Sequence, residues 1–457
     1  MSMTTSVRTP RAADHEGLTV SSGPASSATS LLHRSLLASA LLLASLGASA
    51  QNVLIRNATV HTLGAQGTLQ QADVLVSGGK VSAIGSGLIA PAGVNVVEAE
   101  GRPLTPTLFG GINEIGLEEV SGERSTVDAT LGLGADNKEM TVRPEFDVTL
   151  AFNPESVLIP VARIEGLGWA LLAAGSTQGG SIIAGQGAPV RLDGSADPMG
   201  ARVLFVNLGS DASRLSGHSR AGQWMLLDQL IDEARGRIGP DANAALLTPA
   251  GRATLARYLN GGGRVVVHIN RAADIRQLLR WSARHKVRVA IHGGAEAWKL
   301  APQLAAAKVP VFVNPLGNLP ASFDELGARM DNAALLHAAG VPVSFALGGD
   351  ASHYARKVRQ LAGNAVAAGL PWDAGLAGLT RVPAEAFGVG DVGRIAVGQR
   401  ADLALWSGDP LEVSTVALQV WQNGRAIDMR SRQTELRDRY LRPDNGLPRA
   451  YPAPAGQ

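Results

Sequence analysis

The chain has 457 residues, enough to bury one large α/β domain and a small accessory unit. Its 41 basic and 39 acidic side chains leave a formal charge of +2 with no charge blocks, which excludes the electrostatic footprint of a nucleic-acid binder. The absence of cysteine removes disulfides and thiolate ligands, while 54 glycines with 45% hydrophobic and only 4% aromatic residues suit a protein of many short βα turns.

Residues 33–50, HRSLLASALLLASLGASA, carry a basic start, an apolar run and a small-x-small end, the pattern of a secretory signal peptide cleaved before Gln51. Residues 1–50 are therefore read as a signal peptide with a preceding extension, and the mature protein as periplasmic or secreted. The apolar run falls short of the roughly 20 residues of a spanning helix, and no other segment reaches that length, so no membrane span is expected in the mature chain. From 51 to 105 the runs NVLIRNATVHTL, ADVLVSGGKVSAIG and VNVVEAEGRPL are separated by glycine turns, the text of an antiparallel β unit and the N-terminal half of a β-sandwich.

Between 106 and 390 the pattern changes to strand, helix, strand, helix, which predicts a parallel sheet. GSTQGGSIIAGQG, from Gly175 to Gly187, lacks the spacing of a dinucleotide fingerprint and reads as a tight loop and strand near the mouth. RVVVHIN is followed by the helical AADIRQLLRWSARHK, and VRVAIHGG by AEAWKLAPQLAAAK. Next come VPVFVNPL with DNAALLHAAG, then VPVSFALGGD with a helical stretch from Ser352 to Ala368. Four such units in a row favour a (β/α)8 TIM-type barrel, although periodicity alone also allows an open doubly wound sheet. From 391 to 430, GRIAVGQRADLALWSG and VALQVWQNGRAI return to β text and predict the C-terminal half of the β-sandwich; 431–457 is a C-terminal tail.

His268, His292 and Asp350 each stand at the carboxyl end of a predicted barrel strand, where active sites of such barrels form. Neutral imidazoles and a carboxylate suit Zn or a similar divalent ion. Singly, each histidine also fits a hydrogen-bonded structural role, and Asp350 fits the cap of a helix beginning near Ser352. Arg271 and His353 are candidate substrate-binding side chains; rim pairing for the first and an exposed helical turn for the second are the plain alternatives. Glu114, Glu118, Glu119 and Glu123 also read as a solvated acidic rim.

TPTLFGGINEIG, ADVLVSGGKVSAIG with GRPLTP, HINRAADIRQLLRWS, GGAEAW and GRIAVGQRADLALWSGDPLEV together resemble the amidohydrolase superfamily, especially its imidazolonepropionase-like members. The resemblance spans nearly all of the mature chain and implies metal ligands or proton shuttles at His268, His292 and Asp350. The family's first-strand histidine pair is replaced by Ile112 and Glu114, and no lysine occurs from Glu139 to His285 to bridge two metals. The resemblance thus implies one divalent ion, zinc by donor type, on His268, His292 and Glu114, with Asp350 as catalytic carboxylate. The expected function is hydrolysis of a non-peptide C–N bond in a cyclic amide or related small molecule. The alternative is an inactive barrel that binds a small ligand. A homo-oligomer is compatible with either.

Overall fold

The structure is a computed structural model that describes residues 52–132, 142–349 and 351–441. The signal-peptide segment, Asp350 and the tail beyond residue 441 lie outside the described residues.

β1 (Val53–His61), β2 (Thr68–Ser77) and β3 (Lys80–Gly85) form an antiparallel meander. Gly78 and Gly79, at φ 58 and 80, make the β2–β3 turn that only glycine enters freely. β4 (Asn95–Glu98) and β5 (Pro103–Pro106) lie on the other edge of β1 and run parallel to it, which differs from the antiparallel unit predicted. The hairpin already occupies one edge of β1, so the returning chain takes the free edge after a long connection and enters it in the direction of β1.

β6 (Leu108–Asn113), β7 (Leu167–Leu172) and β9 (Pro189–Arg191) make a three-stranded sheet in the order β6-β7-β9, with β8 (Ile183–Gly187) in a different sheet. That second sheet runs β14-β13-β12-β11-β10-β8. Its members are β10 (Val203–Asn207), β11 (Arg264–Ile269), β12 (Val289–Gly293), β13 (Val311–Val313) and β14 (Val343–Phe345), mutually parallel, with β8 antiparallel to β10. The fold is mixed α/β, and the two sheets share no ladder among the described residues.

Helices return the chain between parallel strands. Ala272–His285 buries Asp274, Ile275, Leu278, Trp281 and His285, a stripe at three- and four-residue spacing, and stops where Lys286 turns left-handed at φ 60. After β14 the chain makes a turn, a short 3-10 helix at Ala355–Lys357 and an α-helix at Val358–Ala367, so the helix predicted from Ser352 starts later. The cause is local: Ser352 is only 4% exposed, and its hydroxyl accepts the Glu114 N–H at 3.2 Å, tying this stretch to the end of β6. The cap considered for Asp350 has no helix beginning at Ser352 to cap.

β15 (Leu403–Trp406) pairs antiparallel with β5, and β16 (Ala417–Gln422) and β17 (Arg425–Ala426) extend from it. Strands from both ends of the chain thereby join one eight-stranded sheet, with a core of its own that includes Ile55, Val74, Leu403 and Trp421.

Candidate active site

Residues at the carboxyl ends of β6, β10, β11 and β12, together with loops after β7 and β14, line a cavity of about 530 Å³. Parallel register decides which side chains meet there: Asn207 stands opposite His268 on adjacent strands, and His268 opposite His292. The two imidazole rings lie edge to face, with centroids 5.2 Å apart and planes at 73°.

Burial holds both rings neutral. It lowers the His268 pKa despite the nearby charges of Asp211 and Glu325. It drives His292 to about 3, helped by His268 and opposed by a hydrogen bond to the Leu347 backbone. Neutral imidazole is the protonation state a metal requires, and a ligating histidine commonly spends its other ring nitrogen on a backbone carbonyl. Two imidazoles on one tetrahedral ion have centroids roughly 5 Å apart. On these three counts the pair fits two donors of one divalent ion.

The expected third ligand does not join them. Among the described residues no group of three or more His, Asp and Glu side chains is gathered closely enough to hold a metal ion, so His268, His292 and Glu114 are not one ligand set. Glu114 turns instead to Glu118. Burial, then the charge of Glu118 and a hydrogen bond with it, push the Glu114 carboxyl up to about 7. Glu118 is only 6% exposed, which corrects its reading as part of a solvated rim; Glu123 is exposed as expected.

The two substrate-binding candidates also fall elsewhere. Arg271 is exposed, precedes the helix Ala272–His285 and does not line the cavity, because the chain leaves β11 at Asn270 and turns outward. His353 lines a neighbouring cavity of about 310 Å³ with Tyr354 and Arg356, and its Nε2 stands 3.7 Å from Glu118 Oε1. Asp350 is outside the described residues, although Gly349 and Ala351 on either side of it line the main cavity.

Other residues complete the lining. Asn270 donates to Glu325 at 2.9 Å and accepts the Ala295 N–H at 3.2 Å, and Asn207 donates to Ser176 at 2.7 Å. Arg329 is held by Asp331 and lies 4.7 Å over the Trp298 ring. The sequence signal for Asn207 and Asn270 is their place at strand ends. Arg329 arrives from a loop with no motif.

Residues 296–429 match the model of the amidohydrolase family. A 59-residue stretch is 44% identical to amidohydrolase tasK of Hapsidospora irregularis, covering 13% of this chain, and the chain spans about 6% of the length of that curated relative. An amidohydrolase structure from Thermotoga maritima MSB8 superposes with a TM-score of 0.71 at 24% identity, over 83% of this chain and 100% of that one. A weaker likeness, with a TM-score of 0.48 and 17% identity over 86% and 98% of the two chains, is to an adenosine deaminase from Xanthomonas campestris with bound zinc.

Proposed function

We propose that the chain, part of which matches the amidohydrolase family model and whose fold resembles an amidohydrolase structure, is a hydrolase of a C–N bond other than a peptide bond, acting on a cyclic amide or related small molecule. The observation that carries this reading is the pair His268 and His292, neutral and desolvated on adjacent strand ends of one cavity. These two side chains would hold a divalent ion, zinc by donor type, which when bound supplies a Lewis acid for the carbonyl and a more acidic water.

The chain's own groups do the rest. The Leu347 backbone orients the His292 ring, and the cavity of about 530 Å³ admits a small molecule. A carboxylate at the mouth takes the proton of the attacking water and returns it to the leaving nitrogen, and Asp350 is the candidate that its place after β14 suggests. In this proposal the two sheets belong to one (β/α)8 barrel, and the protein works outside the cytoplasm.

The test is elemental analysis of protein purified without chelators, beside turnover on a panel of cyclic and acyclic amides. Expected are a stoichiometric divalent ion and hydrolysis of a panel member, both lost in His268→Ala and in His292→Ala. A parent that takes up no zinc, manganese or iron and hydrolyses nothing overturns the reading. A second reading, ligand binding without turnover, is favoured by Ile112, an aliphatic side chain only 3% exposed where the resemblance expects a ligand. Calorimetry would then register binding of a panel member with no product.

A further inference from the structure

We propose that Glu114 and Glu118 form a carboxyl dyad that holds one proton between them and serves as both acid and base of the hydrolysis. The inference rests on the hydrolase reading and gives the pair the part that position alone suggests for Asp350.

The backbone builds the pair. Beyond β6 the Leu117 N–H donates to the Glu114 carbonyl at 2.8 Å, Gly116 turns left-handed at φ +78 within that loop, and Glu118 bridges back to Ile115. The chain therefore doubles back and lays the Glu118 side chain against Glu114, within hydrogen-bonding reach. Both line the cavity. The Glu114 end is fixed by the bond from its N–H to Ser352 Oγ.

The electrostatics favour sharing. Among the described residues neither carboxyl pairs with a lysine or arginine. Among the described residues, Gly175, whose added Cβ would lie 3.3 Å from Glu114 Oε1, and the imidazole of His353 approach the pair. His353 Nε2 stands 3.7 Å from Glu118 Oε1, within ion-pair distance, and makes no hydrogen bond. A half-buried and a buried carboxyl in contact, with no lysine or arginine against them among the described residues, disfavour double ionisation, because each charge raises the cost of the other.

A dyad with one proton balances the reaction. As the oxygen of water bonds to the substrate carbon, the ionised carboxylate takes the water proton. As the C–N bond breaks, the protonated carboxyl gives its proton to the leaving nitrogen. One proton enters and one leaves, the dyad ends singly protonated, and no further reactant is needed.

The experiment uses the full chain with ¹³C-carboxyl-labelled glutamate, titrated by NMR, and the amide panel. One glutamate is expected to titrate near neutrality in the parent, and Glu118→Gln to lower that value by about one unit or more. Glu118→Asp, which keeps a carboxyl, is expected to retain a raised value. Glu114→Gln and Glu118→Gln are each expected to cut kcat by about 100-fold or more with KM nearly unchanged, and the double variant to be little worse than either. Native-like thermal unfolding of each variant guards against a loss due to misfolding. A titration that stays in place in Glu118→Gln, or an active parent whose kcat survives Glu118→Gln, overturns the dyad and leaves the hydrolase reading standing. A parent with no turnover on the panel overturns that reading, and the acid–base role with it.

Discussion

Gly116 has a side-chain-free contact with a neighbouring segment: a Cβ built there would lie 2.6 Å from the Phe152 ring and 2.8 Å from the Asn153 carbonyl, at a φ of +78. Gly116→Ala is therefore expected to cost about 2 kcal/mol or more in urea unfolding, whereas Gly122→Ala, with nothing within 4 Å, should stay within about 0.5 kcal/mol of the parent. Equal midpoints for the two variants would remove the steric argument. Asp324 offers a second test. Burial opposes its ionised form, yet bonds from the Ser210 N–H and hydroxyl and from Arg220 outweigh burial, so its carboxyl sits below the usual range. A folded value below the unfolded one gives stability that is fully present above about pH 4 and is lost as the pH falls through the folded value. Asp324→Asn should lower stability at neutral pH and flatten the acid limb of a plot of urea midpoint against pH; a variant with the parent's acid slope would refute this. At this scale the histidines were legible because each ends a β-branched run. The Glu114–Glu118 contact was not, since the turn that makes it packs Gly116 against Phe152 of a distant segment and a cluster of glutamates reads as surface.

Elements show a similar division. RVVVHI and VAIHG announce β11 and β12, since β-branched runs bounded by polar or glycine residues have few other uses. The direction of β4 and β5 was hidden, because it depends on which edge of β1 remains free. The later start of the helix at Val358 was hidden too, because the Ser352 hydroxyl takes its partner from Glu114, just past β6. The pairing of β5 with β15 is backed by a buried bond from Trp406 Nε1 to Thr105 Oγ1 at 2.9 Å. A chain ending at residue 391 would leave β5 with an open, apolar edge. It is expected to aggregate on light scattering where the longer chain does not; a monodisperse truncated protein would show that the edge protects itself.

For the whole molecule, the run of βα units was sufficient to place His268 and His292 on one rim, because parallel strands joined by helices bring their carboxyl ends to one side. Substrate identity was not legible, since it depends on loop side chains such as Arg329 that obey no periodicity. The proposal that the chain is exported predicts an amino terminus at or near Gln51, read by intact mass spectrometry of protein from the cell exterior; an unprocessed terminus there would contradict it.

The eight-stranded sheet has a consequence for the order of folding. A ribosome would release β1 and β5 well before β15 and β16, which finish their sheet and come some hundreds of residues later. Closing so long a loop is slow, so the earliest strands are the last to gain their full set of neighbours. Pulsed hydrogen exchange during refolding should find β11 and β12 protected before β5. Until β15 and β16 have been made, β1 and β5 remain an unfinished edge that a chaperone can still hold open.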